Sequence, residues 1–427
     1  MTKFVISGGI PLAGTVRVSG AKNSALKLMA AALLTSEKTV LTNVPLIQDV
    51  FTMAEVLREI GAEVTISPGR VEIDPSGELS HTTPYELVRK MRASIVVMGP
   101  LLARLNRARV AMPGGCNIGP RKIDFHLSGL EKLGARINVE HGFINVTAAG
   151  LTGDVISLDY PSVGATENLM MAACMARGRT VIESAAREPE IIDLAKFLSS
   201  MGASISGAGS DTIIIEGVDG LGGATHTVVP DRIEAGTFMA AAAITNGDVE
   251  VEGINPLHLE IFISKLRAIG VSVQEYDHRV RVRGEGEYHS TDIATLPHPG
   301  FPTDLQAPII VLLSLARGHS IVTENVFENR FVFVDELNRL GASVRPSGHH
   351  AVVHGGSRFE GAIVEAPDLR AGAALVLAGL AASGTTEVRH IGHIDRGYEQ
   401  FEHKLQALGA DIQRVETGDR TSAASLN

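Results

Sequence analysis

Residues 55–64 read EVLREIGAEV. Val56, Leu57 and Ile60 fall on one face of a helix, and Glu55, Arg58 and Glu59 on the other. Gly61 then ends the helix, because glycine enters the left-handed conformation without a Cβ clash. A strand follows. The same pattern recurs at 128–137 (SGLEKLGARI), 196–205 (KFLSSMGASI), 264–273 (SKLRAIGVSV), 335–344 (DELNRLGASV) and 403–412 (HKLQALGADI). The glycines Gly61, Gly134, Gly202, Gly270, Gly341 and Gly409 are spaced by 73, 68, 68, 71 and 68 residues. A fixed period of this size marks a repeated supersecondary unit.

A second series interleaves with the first. SALKLMAAALL from Ser24, SIVVMGPLLA from Ser94, ENLMMAACMA from Glu167, GTFMAAAAI from Gly236, LQAPIIVLLSLA from Leu305 and AGAALVLAGLAA from Ala371 are small or apolar almost throughout. A helix apolar on every side is buried on every side. Each unit therefore pairs one buried helix with one half-exposed helix and adds two or three strands as a small sheet.

The chain ends complete the count. The sixth unit stops at ADIQRVE, before a polar tail Thr417–Asn427. The N-terminal KFVISGGIPLAGTVRVSG parallels the missing strands, so the N-terminal strands are expected to close the last unit. The units then group three and three. One domain spans 20–229, and the other spans 1–19 plus 230–427, with crossings near Ser19–Gly20 and Pro230. The alternative is one continuous solenoid, whose end repeats would need polar outer faces. The donated strands favour closed domains, and a cleft between them is the default ligand site.

Composition bounds the function. The 427 residues carry 38 Lys plus Arg against 48 Asp plus Glu, a net charge of −10. That balance, with no Trp and 4% aromatics, excludes a stacking platform for single strands and a general nucleic-acid binder. Two Cys exclude a disulfide framework. The apolar run Pro308–Ala316 is half the length a membrane span needs, at roughly twenty residues, and MTKFVISGG is no signal peptide. A soluble cytoplasmic protein is expected.

Each buried helix follows a polar turn. These contain Lys22 and Asn23, Arg92, Ser162 to Glu167, Asp231 to Glu234, Asp304, and Asp368 with Arg370. Capping accounts for Ser, Thr and Asp. It does not account for Lys22, Arg92 and Arg370, since cations at a helix start oppose the dipole. Free N–H groups plus these cations describe an anion site. Pro113 to Lys122 reads PGGCNIGPRK, with three Gly and two Pro in ten residues. It forms a loop presenting Cys116 beside Arg121 and Lys122, which favour the thiolate. Such a thiol suits nucleophilic or proton-donor work. Cys174, inside MMAACMA, reads as inert core. Gly20 to Ser24 is no P-loop, and Gly284-Glu285-Gly286 is no dinucleotide fingerprint. His390 and His393 lack further metal ligands, and Arg281 and Arg283 form a solvated strand face.

In order along the chain stand SGAKNS (Ser19), MRASI (Met91), PGGCNIG (Pro113), PSVGATEN (Pro161), PDRIEAGTF (Pro230), GFPTDLQA (Gly300), ENRF (Glu328), DLRAGA (Asp368) and HIDRGYE (His393). With these motifs the chain closely resembles the enolpyruvyl transferases, and among them the bacterial UDP-N-acetylglucosamine enolpyruvyl transferases, to about residue 415. The resemblance implies an α/β fold of two inside-out domains, each of three βαβαββ units with pseudo-threefold symmetry. It also implies transfer of the enolpyruvyl group of phosphoenolpyruvate to the 3′-hydroxyl of UDP-N-acetylglucosamine, releasing phosphate through a tetrahedral ketal, with no cofactor or metal. This opens peptidoglycan precursor synthesis.

The matching positions imply roles. Cys116 is the proton donor and can form a covalent adduct with the phosphoenolpyruvate skeleton. Asp304 is the base near the sugar hydroxyl. Lys22, Arg121 and Arg396 surround the phosphate, with Asn23 beside them, and Arg330 and Arg370 stand at the carboxylate end. Arg92, Arg121, Lys122, Ile123, Asp124, Phe125, Tyr160 to Ser162, Val163, Gly164, Asp304 and Val326 match nucleotide-sugar contacts. Lys122 replaces a usual Pro, and Tyr160 a Lys found in some members, changes that fit a secondary paralogue. Two other readings stay open: an enolpyruvyl-shikimate-phosphate synthase, which works without the loop Cys, and a non-catalytic nucleotide-sugar-binding paralogue. Nucleic acid and membrane are not expected partners, and no feature sets an oligomeric state.

Overall fold

The computed structural model of the chain describes residues 2–112 and 123–416. All six repeat glycines adopt positive φ, from 93° at Gly134 to 113° at Gly61. Each follows its amphipathic helix: Gln48–Ile60, Asp124–Lys132, Pro189–Ser200, Glu260–Ile269, Val334–Arg339 and Phe401–Ala407. The apolar series forms the buried helices Lys22–Ala31, Met98–Leu105, Val163–Ala173, Arg232–Ile244, Gln306–Leu315 and Leu369–Ala381.

Apolar residues gather in two cores. One draws on residues between Ala25 and Val228. The other draws on Phe4 to Val18 and Ile233 to Ile412. In the second core the three buried helices pack on one another. The sheets wrap outside the helices, five of four strands and one of three among the described residues. The fold is the inside-out α/β arrangement that the motifs imply.

Five of the six sheets among the described residues exceed three strands because each of those five takes a parallel strand that leads into a buried helix. In the third unit Val155–Ser157 pairs parallel with Arg179–Glu183, which pairs antiparallel with Thr212–Glu216. The N-terminal strands divide. Thr2–Ser7 lies between Thr385–Arg389 and Asp411–Glu416, in the sixth sheet. Ala13–Arg17 does not follow it there, as the repeat alignment implied. It pairs parallel with Asp248–Glu252 in the fourth. In exchange, Thr225–Thr227 pairs with Thr39–Val44 and completes the first sheet. Each core thus takes the strand that leads into the other core's first buried helix. The missing positions were a last strand in one unit and a first strand in another, which a single pattern match could not separate.

The two crossings lie side by side. Gly20 bridges Pro230, Ala21 N–H donates to Val229 O at 2.7 Å, and Asp231 N–H to Ser19 O at 2.8 Å. Gly20 is required by contact: a Cβ there would stand 1.7 Å from the Asn43 carbonyl oxygen. Backbone cannot retreat as a side chain can. Gly20→Ala is therefore expected to destabilise the protein by about 1–3 kcal/mol, read as a lowered thermal midpoint.

Candidate functional site

Lys22 opens the first buried helix. Its Nζ lies 2.8 Å from Asp49 Oδ2, and Arg396 Nε lies 2.9 Å from Asp49 Oδ1. Asp49 stands in the first turn of the amphipathic helix Gln48–Ile60. One buried carboxylate thus holds a cation from each core. The Lys22 backbone N–H also faces Asp231 Oδ2, at 3.3 Å. These acids offset the dipole that a cation at a helix start opposes. Burial lowers the Lys22 ammonium pKa; Asp49 pulls it back up, while Arg370 and Arg396 add to the lowering. Burial alone would raise the Asp49 carboxyl, but Lys22 and Arg396 outweigh it and hold it below its ordinary value.

A second cluster lies on the other core. Asp304, in the turn Thr303–Leu305, sits 2.7 Å from Arg330 Nη2 and 3.3 Å from Arg370 Nη2. Both arginines are buried, at 5% and 4% exposure, while the Asp304 side chain is 24% exposed. Arg370 lies over the Tyr398 ring, 5.2 Å from its centroid. Burial disfavours its charge, but Tyr398, Asp304 and Asp231 more than restore it. Asp368 caps the helix by accepting from Arg370 N–H at 2.8 Å and Ala371 N–H at 3.0 Å. The polar turns therefore split by chemistry. Ser162, Asp231 and Asp368 cap, while Lys22, Arg370 and Asp304 form ion pairs.

The flanking expectations also find places. Asp124 and Phe125 begin the helix Asp124–Lys132, directly after Ile123. Gly164 faces that segment, since a Cβ there would lie 3.3 Å from His126 Nε2. Ser162 Oγ accepts from Ala165 N–H at 3.4 Å, which sets the turn through Val163 and Gly164. Val326 N–H donates to buried Glu324 Oε1 at 2.8 Å. Glu324 also accepts from Thr295 and Thr303, so it ties Val326 to the Asp304 turn. Asn23 follows Lys22 in the same helical turn. Cys116, Arg121 and Lys122 lie outside the described residues, as does the Arg92 side chain.

Both clusters thus pair a cation at the start of a buried helix, Lys22 or Arg370, with an arginine from another segment, Arg396 or Arg330. The family model described as EPSP synthase (3-phosphoshikimate 1-carboxyvinyltransferase) matches residues 6–405. The chain belongs to the enolpyruvyl transferase family. It is 57% identical to UDP-N-acetylglucosamine 1-carboxyvinyltransferase 2 of Carboxydothermus hydrogenoformans, over 97% of this chain and all of that one. It is 54% identical to UDP-N-acetylglucosamine 1-carboxyvinyltransferase 3 of Caldanaerobacter subterraneus, over 97% of this chain and all of that one. Among solved structures, the enolpyruvyl transferase NikO of Streptomyces tendae superposes with a TM-score of 0.88 at 26% identity, covering 97% of this chain and 98% of that one.

Within this enolpyruvyl transferase, pattern reading overlooked Asp49 and Glu324. An acid in the first turn of an amphipathic helix reads as ordinary dipole compensation, and only the tertiary fold aims it at Lys22. Glu324 follows a strand and had no signal at all. Cys174 is buried as expected. Burial pushes its thiol up to about 12, and its Sγ donates to Met170 O at 3.2 Å. Arg281 and Arg283 are exposed, and Arg281 pairs with Asp248. Among the described residues, no helix is long and apolar enough to cross a membrane.

Proposed function

We propose that the protein transfers the enolpyruvyl group of phosphoenolpyruvate to the 3′-hydroxyl of UDP-N-acetylglucosamine. The single observation that carries this reading is Asp49 holding Lys22 and Arg396 from opposite cores, with Arg370, a partner of Asp304, near enough to act on the Lys22 ammonium. A small trianionic donor needs fixed cations, and orienting it against a hydroxyl can recover roughly 7–11 kcal/mol of the barrier. The near-complete matches to enzymes named for this reaction favour UDP-N-acetylglucosamine over shikimate phosphate. Structures of EPSP synthase from Acinetobacter baumannii match at 20% identity, which speaks for the fold alone.

In this reading the two cores are domains, 20–229 and 1–19 plus 230–427, and the substrates enter between them. Lys22 and Arg396, with Arg121, receive the phosphate. Arg330 and Arg370 hold the carboxylate end and orient Asp304. Asp304 takes the proton of the 3′-hydroxyl as its oxygen bonds to C2 of phosphoenolpyruvate. Cys116 supplies the proton to C3, completing the ketal. The Cys116 thiolate then takes back a C3 proton as the C2–O bond to phosphate breaks, which restores the double bond, and the departing phosphate carries off the proton that Asp304 had taken. Arg92, Ile123 to Phe125, Ser162 to Gly164 and Val326 hold the nucleotide sugar. Prearranged cations stabilise the charge of the ketal without reorganising. The reaction fits a cytoplasmic enzyme at the first committed step of peptidoglycan precursors, hence of cell-wall growth, shape and division.

Phosphate release measured with each acceptor tests the reading. Release with UDP-N-acetylglucosamine is expected; release only with shikimate 3-phosphate, or with neither, rejects it. Thiol alkylation is a separate check. Fosfomycin should inactivate with one label per chain, found by peptide mapping on Cys116. Label on Cys174 would contradict its burial, since a thiol at about 12 is almost wholly protonated near neutral pH.

A further inference from the structure

Thr166, Glu167 and Asn168 are consecutive, polar and 0% exposed, on the first turns of Val163–Ala173 at the centre of the first core. Each reaches a different neighbour. Thr166 Oγ1 accepts from Ala186 N–H at 3.0 Å. Glu167 Oε2 lies 2.9 Å from Lys27 Nζ, and that ammonium also donates to the Asn23 carbonyl at 3.1 Å. Asn168 Oδ1 accepts from Gly99 N–H at 2.7 Å, and its Nδ2 lies 3.0 Å from His126 Nδ1.

Stability alone does not explain this arrangement. Burial pushes the Glu167 carboxyl up to about 7 against the pull of Lys27, with Glu190 and Glu188 pushing the same way. Beyond the Lys27 ammonium, neither Glu167 oxygen has a hydrogen-bond partner among the described residues. A buried ion pair so poorly satisfied can be replaced by apolar side chains at little cost, and often with a gain. Apolar contacts, however, tolerate sliding, whereas a charge pair fixes register. Here the pair joins two particular turns. Lys27 stands one helical turn below Lys22 and Asn23, and Glu167 one turn below Ser162 to Gly164.

We infer that Glu167 is a positioning residue, whose pair with Lys27 sets the spacing between the turn that receives the donor phosphate and the turn that receives the nucleotide sugar. The inference rests on the proposed function. Neither residue touches substrate in this scheme; both act through Asn23 and the 162–164 turn. Asn168 repeats the logic toward His126 and so toward Ile123 to Phe125.

The test is the double variant Lys27→Met/Glu167→Met, which removes both charges and leaves none stranded. Its thermal midpoint should stay within a few degrees of the parent. At the same time kcat should fall and KM for UDP-N-acetylglucosamine should rise, each by about tenfold, because a displacement near 1 Å can cost up to about 10²-fold. Parent values of kcat and of both KM in the folded double variant would overturn the inference. Should that variant not fold, Glu167→Gln keeps the shape and one acceptor. It should show smaller changes in the same direction, and parent kinetics there would equally overturn the inference. Calorimetric titration of the parent with UDP-N-acetylglucosamine separates the two ideas. A parent that binds and turns over beside an unaltered variant refutes only the positioning role. A parent that does neither refutes the function, and this inference with it.

Discussion

Replacing Asp304 with Ala is expected to lower UDP-N-acetylglucosamine-dependent phosphate release by about 10²–10⁴-fold, the range a positioned proton acceptor supplies. Two losses combine. The hydroxyl proton has no acceptor, and Arg330 and Arg370 lose their shared carboxylate while 5% and 4% exposed. The second loss acts on binding and stability as well as on chemistry. Asp304→Asn separates them in part: Arg330 and Arg370 bond different oxygens of Asp304, so the one amide oxygen keeps one of the two contacts, and it has little basicity. The Asn variant should lose less of its thermal midpoint than the Ala variant and still bind nucleotide sugar, yet turn over as poorly as Ala. If Asp304→Asn retains the parent kcat, Asp304 is not the base, and its role reduces to fixing the two guanidinium groups.

Asp49→Ala carries the largest expected effect on stability. It removes the carboxylate that Lys22, with its side chain 12% exposed, and Arg396, at 28%, share. Removing one member of a buried charge cluster costs about 3–5 kcal/mol. Denaturant unfolding should show the loss as a lower midpoint at unchanged slope. The pH dependence has a definite sign. The Asp49 carboxyl is held below its ordinary value in the folded state. Its contribution is therefore complete above the unfolded pKa of about 3.9 and fades as pH falls through the lower folded one. The stability gap between parent and Asp49→Asn should be widest near neutral pH and close below about pH 4. A gap independent of pH would show that Asp49 acts by packing instead. Turnover should fall too, since released Lys22 and Arg396 side chains no longer meet one phosphate.

The repeat was legible because its signals are local. A glycine that ends a helix, as Gly61 or Gly409 does, acts through its own φ. A run as apolar as Ala371 to Ala381, in the helix Leu369–Ala381, must be buried whatever surrounds it. The cations of the site were legible for a related reason: Lys22 and Arg370 stand where a helix start disfavours them, so a partner or ligand was required. Asp49 was not legible. Its place in the first turn of Gln48–Ile60 already satisfied a local rule. Nor was Glu324, which accepts from Thr295, Thr303, Gln306 and the Val326 and Phe327 amides, groups that only converge in space.

The strand exchange marks the same boundary. From the chain alone followed the six units, the buried and half-exposed helices, the basic turns and the kinship that their motifs carry. Each of these depends on residues within a few positions of one another. Folding in three dimensions settled that Ala13–Arg17 and Thr225–Thr227 trade places, and that Asp49, beside Lys22, reaches Arg396 across 347 residues of chain. Strand pairing and charge pairing between distant segments depend on which surfaces meet. That is fixed by the packing of whole helices, and a short window of sequence does not contain it.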